Sequence, residues 1–154
     1  MKPPLPPAKL RPYMTRFVSR ALLLPSLVTA AAILVKGYAQ PGDGFSAGVV
    51  ASLGVLLQYM AFGEEEASRL LPLPPAGLLC FGGLLLALAL AAFPLLFGQP
   101  PLTHYPPPGE EPVHLGTLEL ITAVAFDTGI FLLVFGFSVG VMRLISGARE
   151  EGEG

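Results

Sequence analysis

Four long apolar stretches, each with few charged side chains, constrain the fold of this chain more than any other feature. They cover about residues 17–36, 45–62, 76–97 and 115–145. A helix of about 20 residues, rising 1.5 Å per residue, crosses a hydrocarbon core of roughly 30 Å. In hydrocarbon every backbone N–H and C=O group must be paired, and a helix pairs them within one segment. The sequence therefore predicts an all-α integral membrane protein with four transmembrane helices.

The composition agrees with a chain that folds in lipid. It is 53% hydrophobic and 13% charged, whereas soluble domains have about 25% charged residues. The single cysteine, Cys80, excludes an internal disulfide and makes a cysteine-based metal site unexpected. The sequence contains no phosphate-binding glycine motif and no arrangement of nucleophile and base. We therefore expect neither a self-contained enzyme nor a bound cofactor.

Basic residues are distributed unequally between the two predicted membrane surfaces. Eight lie on the side of the two termini and of the connection between spans two and three, and only Lys36 lies on the other side. Because lysine and arginine are retained in the cytoplasm, this pattern predicts that both termini are cytoplasmic. The alternative is a secretory signal cut near residues 38–40, but the first apolar stretch exceeds a typical signal core.

Proline, glycine and charged residues mark the segments outside the membrane domain. Residues 1–16 predict a proline-rich cytoplasmic arm, extended over residues 1–12, and residues 147–154 an acidic cytoplasmic tail. Residues 63–75 predict a solvated cytoplasmic loop between spans two and three. The predicted membrane domain therefore covers residues 17–146.

The connection between spans one and two is short and rich in glycine and proline. It contains Pro41, Gly42, Asp43 and Gly44 and leads into Phe45. Glycine adopts the positive φ values and close approaches that other residues resist. One interpretation is a tight turn in which the Asp43 side chain caps the second span. The other is a broken-helix element whose open backbone groups line a polar cavity.

Two carboxylates in the last apolar stretch are the main candidates for chemistry. Asp127 lies at bilayer depth, where an ionisable group is costly and marks a functional-site hypothesis. On one continuous helix Glu119 and Asp127 share a broad face, about 80° and 12 Å apart, with Thr122 close to that face. Such a pair suits proton or Na⁺ acceptance, with Asp127 as a possible transient Na⁺ ligand. The alternatives are a structural, hydrogen-bonded Asp127 and a Glu119 that lies among lipid headgroups.

Small residues four positions apart predict where helices approach closely. Gly44-x-x-x-Gly48 opens span two, and Gly136-x-x-x-Gly140 lies in the second half of span four. The pattern concerns packing, because small residues allow two helix backbones to come together. His104 and His114 lie outside the spans in the predicted outer loop, where a proton relay and an ordinary solvated histidine are both possible.

Two motifs together resemble those of a known family. One opens span two and the other lies in the last span: Gly37-x-x-x-Pro41-Gly42-x-Gly44-Phe45 and Glu119-Leu120-x-Thr122-Ala123-x-x-Phe126-Asp127-x-Gly129. Over about residues 17–146 the chain resembles the MnhB/MrpB-like subunit of the Mrp (Mnh) multisubunit cation/proton antiporter. The same module is similar to one found in membrane-bound hydrogenase complexes. Asp43 departs from the family, which usually has a third glycine there, and adds a negative charge at the predicted outer mouth.

The resemblance implies a small subunit of a larger assembly in a prokaryotic plasma membrane, in contact with lipid and with the other Mrp subunits. The assembly would couple H⁺ entry to Na⁺ export and would not involve nucleic acid. By resemblance, residues 41–44 form the broken-helix loop, and Glu119 and Asp127 form the acidic pair of the last span. Asp127, with Thr122 and Phe45, would then line a cation or water pathway at subunit interfaces. A scaffold role, and a place in a related hydrogenase or respiratory complex, remain open.

Overall fold

The predicted architecture of four transmembrane helices is confirmed, with one short two-stranded ribbon added to it. The computed structural model describes residues 7–36, 42–103, 113–115, 118–120 and 122–152, with side chains described for residues 13–36, 42–103 and 122–145. The elements are α1 (Pro7–Lys36), α2 (Gly44–Phe62), α3 (Glu64–Leu70), α4 (Ala76–Ala92), a 3₁₀ helix (Phe93–Phe97), β1 (Val113–Leu115), β2 (Leu118–Leu120) and α5 (Thr122–Gly152). Four stretches are long and apolar enough to cross a membrane: Tyr13–Lys36, Gly44–Phe62, Ala76–Phe97 and Thr122–Ile145.

The four long helices pack in an open row in the order α1, α2, α5, α4. Helix α1 packs on α2, α2 on α5, and α5 on α4. Half of the α2 span is buried, but only 11% of the α1 span and 17% of the α4 span. The helices at the two ends of the row therefore present most of their apolar surface outwards, to lipid or to other subunits.

Glycine residues set the distance between α5 and α4. A Cβ atom on Gly83 would lie 2.5 Å from the Gly129 carbonyl oxygen, and one on Gly136 would lie 2.5 Å from the Cys80 amide nitrogen. Both distances are shorter than van der Waals contact, so only glycine fits at this spacing. Packing of this kind replaces the hydrophobic effect as the force that associates helices in lipid. The predicted contact faces at Gly44-x-x-x-Gly48 and Gly136-x-x-x-Gly140 both lie at helix crossings.

Three segments differ from their predicted conformation. Helix α1 begins at Pro7, a position at which proline is tolerated, so residues 7–12 are helical rather than extended. The predicted solvated loop at residues 63–75 contains α3, whose Ala67 is fully buried. Helix α5 continues to Gly152, so most of the acidic tail is helical. Residues 1–6 and 153–154 lie outside the described residues.

The start of the last span is also different from the prediction. Residues Val113–Leu115 and Leu118–Leu120 form a two-stranded antiparallel ribbon, and α5 begins only at Thr122. Apolar and polar residues alternate along this segment, and such alternation favours a strand over a helix. The last span, expected to begin near residue 115, therefore begins later, and residues 115 and 118–120 are strand rather than helix.

Polar contacts show that the start of the α1 span and the last part of α5 lie at the same membrane-facing end of the helices. Arg16, near the start of the α1 span, pairs with Glu66 of α3. Arg143, in the last part of the α5 span, donates a hydrogen bond to the Tyr59 hydroxyl near the end of α2. Four spans return the chain to the membrane surface from which it started, as these contacts require.

Candidate functional site

Asp127 is buried at the point where α2 crosses α5. Its residue surface is 4% exposed, and its Oδ2 atom accepts a hydrogen bond of 2.8 Å from the backbone N–H of Gly42. Gly42 has a φ of 117°, in the region that favours glycine. Asp127 lies about 7.5 Å along α5 from Thr122, the first residue of that helix. One carboxylate oxygen thus holds the connection between α1 and α2 against α5.

The first turn of α2 lies directly on the backbone of α5. A Cβ atom on Gly44 would be 2.2 Å from the Asp127 carbonyl oxygen and 2.9 Å from its Cα atom. One turn later, a Cβ atom on Gly48 would be 3.1 Å from the Phe131 carbonyl oxygen. The two glycines therefore allow the close approach at which the Gly42 amide reaches the Asp127 carboxylate.

The start of α2 places positive potential beside Asp127. The first amides of a helix have no partner within the helix, and the aligned peptide dipoles place positive potential at that end. The Asp127 carboxylate lies at this end of α2 and accepts from Gly42, two residues before the helix begins. The hydrogen bond is what a structural role for Asp127 predicts. It is also what an ion-binding carboxylate needs in order to be held in place at bilayer depth.

Asp43 does not cap α2 with its side chain, so that part of the tight-turn interpretation is wrong. It occupies the N-cap position with φ of −87° and ψ of −1°, a helical conformation, and makes no side-chain cap bond. An N-cap side chain usually bonds from an extended backbone. Instead, the carbonyl oxygen of Asp43 accepts from the Ala47 amide at 3.0 Å. The carboxylate pairs with Lys36 Nζ at 3.6 Å, so the extra negative charge has a cation beside it.

The other predicted site residues flank this crossing along the chain or lie outside the described residues. Glu119 is in β2, in register with His114 of β1, so it does not share a helix face with Asp127 and that prediction is wrong. Thr122 is half-buried at the start of α5, and Phe45 is 60% exposed. Pro41 is not among the described residues.

A buried polar contact between α1 and α2 was not identified from the sequence. Gln58 Nε2 donates to the Ser19 carbonyl oxygen at 2.6 Å, and both residues are 2% exposed. A buried amide without partners would be costly in an apolar environment, so this bond fixes the register of the two helices. The available signal was that Gln58 is the one large polar side chain of span two.

A second polar contact joins α2, α3 and α5 at the opposite end from Asp127. The Tyr59 hydroxyl accepts from Arg143 Nε at 2.9 Å and lies 3.4 Å from the Ser68 hydroxyl. Tyr59 is 2% exposed. The signal in the sequence was an arginine near the end of the last apolar stretch. That arginine was counted only as evidence for the orientation of the chain in the membrane.

Comparison with known proteins was made on sequence and on fold. Residues 14–140 match the family described as "Domain related to MnhB subunit of Na+/H+ antiporter". A Staphylococcus aureus (strain Newman) protein named "Putative antiporter subunit mnhB2" is 31% identical over 135 residues, covering 88% of this chain and 94% of that protein. A Rhizobium meliloti protein, named as a probable K⁺/H⁺ antiporter component, is 38% identical over 116 residues, 73% of this chain.

A solved structure shares the fold. A chain of the Mrp complex from Dietzia sp. DQ12-45-1b superposes with a TM-score of 0.69 over 95% of this chain, at 21% identity. This chain spans only 15% of that Dietzia chain and 11% of the Rhizobium protein. Because this chain has four helices apolar enough to cross a membrane and its relatives are bacterial antiporter subunits, it is a multi-pass protein of a prokaryotic plasma membrane. The chain belongs to the family of domains related to the MnhB subunit of Na⁺/H⁺ antiporters.

Proposed function

We propose that this chain is the MnhB-type subunit of a multisubunit antiporter that exchanges Na⁺ or K⁺ for H⁺. The observation that carries the proposal is the family match over residues 14–140, together with a relative of nearly the same length whose name is that of an antiporter subunit. Its role is transport rather than catalysis. A place in a hydrogenase or respiratory complex is the alternative, and the names of the relatives favour the antiporter.

The open row of helices supports a role within an assembly. Three helix–helix interfaces join the four long helices side by side, and the outer faces of α1 and α4 are apolar. A row of this kind does not surround a water-filled path, so an ion pathway has to form between this chain and its neighbours. The partners are the other Mrp-type subunits, and the remaining apolar surface contacts lipid.

The distribution of charge supports a cytoplasmic location for both termini. Arg16, Arg20, Arg69 and Arg143 lie on the side of the row that carries α3, and Lys36 lies on the opposite side. Lysine and arginine are retained on the cytoplasmic side. The crossing at Asp127 then lies in the outer half of the membrane.

Asp127 is the residue of this chain with the strongest case for a place in the ion pathway. It is a buried carboxylate at bilayer depth, held by a backbone donor of the connection between α1 and α2. Carboxylates within membrane spans are rare and often mark proton relays and ion pathways. Thr122, Phe45 and residues 42–44 lie at the same end of the row and complete the proposed pathway, with Glu119 at its outer entrance. Pro41 precedes them in the sequence and lies outside the described residues.

Co-purification and transport test the proposed function directly. The affinity-tagged full chain is isolated in mild detergent with its neighbours, which mass spectrometry then identifies. Recovery with other Mrp-type subunits is expected, whereas recovery with hydrogenase or respiratory subunits contradicts the antiporter. Deletion of the chain should also abolish Na⁺- or K⁺-induced collapse of a pH gradient in inverted vesicles, and reintroduction should restore it. Unchanged exchange in the deletion strain contradicts a required role.

A further inference from the structure

The first half of α1, where the helix enters the membrane, carries positive charge. Helix α1 has 30 residues, about 45 Å at 1.5 Å per residue, whereas the hydrocarbon core is roughly 30 Å thick. The helix contains no acidic residue. Its basic residues other than Lys36 all lie in its first half: Lys9, Arg11, Arg16 and Arg20. Surplus length and surplus charge therefore coincide at one membrane surface.

Arg16 and Arg20 are held as a pair, one helical turn apart. Arg16 Nη2 lies 3.2 Å from Oε2 of Glu66, and Arg20 Nη2 lies 3.9 Å from Oε1 of the same residue. The Cζ atoms of the two arginines lie 5.2 Å and 4.9 Å from the centroid of the Phe62 ring, within the range of cation–π attraction. One carboxylate thus faces two guanidinium groups, and the neighbouring Glu65 pairs with Arg69 instead.

The arginine pair is accessible at the depth of the lipid headgroups. The side chains of Arg16 and Arg20 are 47% and 60% exposed. A guanidinium group has five N–H donors in a planar fork that matches a phosphate. On the same helix Tyr13 is 64% exposed and Phe17 is 73% exposed, and tyrosine is enriched at the interface between lipid and water. The charge, geometry and depth of this pair all complement a lipid phosphate.

We propose that Arg16 and Arg20 bind the phosphate of an anionic phospholipid, with Glu66 as the counter-ion that limits the affinity. A phosphate that approaches the pair competes with the Glu66 carboxylate for the same N–H donors. Each basic side chain near an anionic membrane surface contributes about fivefold to the binding constant. Phe62 attracts both guanidinium groups to its ring and so preorganises them. The site lies at the opposite end of the row from Asp127 and does not depend on the proposed function.

Native mass spectrometry of the full chain in mild detergent tests this site. The protein is titrated with phosphatidylglycerol or with phosphatidylcholine of the same acyl chains. We expect phosphatidylglycerol to bind more tightly, and Arg16→Gln and Arg20→Gln each to weaken it about fivefold without changing phosphatidylcholine. Glu66→Gln should strengthen phosphatidylglycerol binding, a gain that misfolding does not produce.

Arg69→Gln is the matched control, because Arg69 is an exposed arginine of α3 that pairs with Glu65 instead of Glu66. It should leave lipid binding unchanged. Equal binding of the two lipids, weaker binding in Glu66→Gln, or the same loss in the control as in Arg16→Gln would each overturn the proposal. Displacement of the lipid by inorganic phosphate at equal concentration would assign the pair to a free anion instead.

Discussion

Replacement of Gly44 by alanine should separate α2 from α5 and weaken the hold on Asp127. The added Cβ atom would lie 2.2 Å from the Asp127 carbonyl oxygen, and Cβ atoms do not approach closer than about 3.0 Å. The obstructing atoms belong to the backbone and have no rotamer to change, so the helices must separate by about 0.8 Å. Overpacking of this size costs about 1–3 kcal/mol. If Gly42 moves with α2, its bond to Asp127 lengthens from 2.8 Å to about 3.6 Å, beyond hydrogen-bond range.

Gly82→Ala provides the matched control for this substitution. Gly82 is an exposed glycine of α4, and a Cβ atom there would have nothing within 4 Å. Because alanine is favoured over glycine in a helix interior by about 0.5–1 kcal/mol, we expect this substitution to leave the free energy of unfolding unchanged or to raise it slightly. Thermal unfolding in detergent measures stability, and size-exclusion chromatography measures the fraction that remains assembled.

We predict a lower unfolding temperature for Gly44→Ala than for Gly82→Ala, with lower exchange activity per assembled complex. Equal stability and equal activity of the two variants would refute the close approach at Asp127. A stable Gly44→Ala variant with reduced activity would show that the crossing matters for transport more than for folding.

Two further substitutions probe contacts with α1 at the two ends of α2. Gln58→Leu removes a hydrogen-bond donor to the α1 backbone and should lower the free energy of unfolding by about 0.5–1.5 kcal/mol. Met60→Leu, on the exposed side of α2, is the control and should leave it unchanged. Equal unfolding curves for the two variants would contradict this prediction. Asp43→Asn breaks an exposed ion pair with Lys36 that contributes less than about 1 kcal/mol. Stability, and the cation concentration that gives half-maximal exchange, should therefore hardly change. A severalfold shift in that concentration would instead make Asp43 part of the cation entrance.

The number of spans was predictable because hydrophobic length alone determines which segments cross a bilayer. Span two was predicted from Phe45 to Phe62 and begins one residue earlier, at Gly44. The glycine pairs also indicated which faces approach closely. What hydropathy did not reveal is the order of the helices in the row, because every apolar helix face is equally suited to lipid and to protein.

The region around Glu119 shows why the sequence misled at the start of the last span. The segment is apolar enough to extend a transmembrane helix, yet its alternation of polar and apolar residues produces strands β1 and β2. A continuous helix would have placed Glu119 on the face of Asp127. The ribbon removes that relation, and only the carboxylate at Asp127 remains within the described helix α5 at bilayer depth.

The partner of Asp127 was not predictable either, because it is a backbone amide. A pattern of residue types identifies candidate side chains, but the Gly42 N–H reaches the carboxylate only through the positive φ of Gly42 and the close packing of Gly44. Likewise, the Asp43 side chain was expected at the α2 cap because of its residue type. Its helical backbone and the neighbouring Lys36 direct it to an ion pair instead.

Whether the Asp127 carboxylate carries charge in transport is tested most directly by comparing Asp127→Asn with Asp127→Leu. The asparagine oxygen can still accept from the Gly42 amide, so this variant removes the charge and keeps the contact, whereas leucine removes both. Cation-induced collapse of a pH gradient is measured in inverted vesicles at equal amounts of assembled complex. We predict that Asp127→Asn assembles normally and loses cation exchange. Normal exchange in Asp127→Asn, together with loss of assembly in Asp127→Leu, would contradict this and show that Asp127 serves only to hold the helices together.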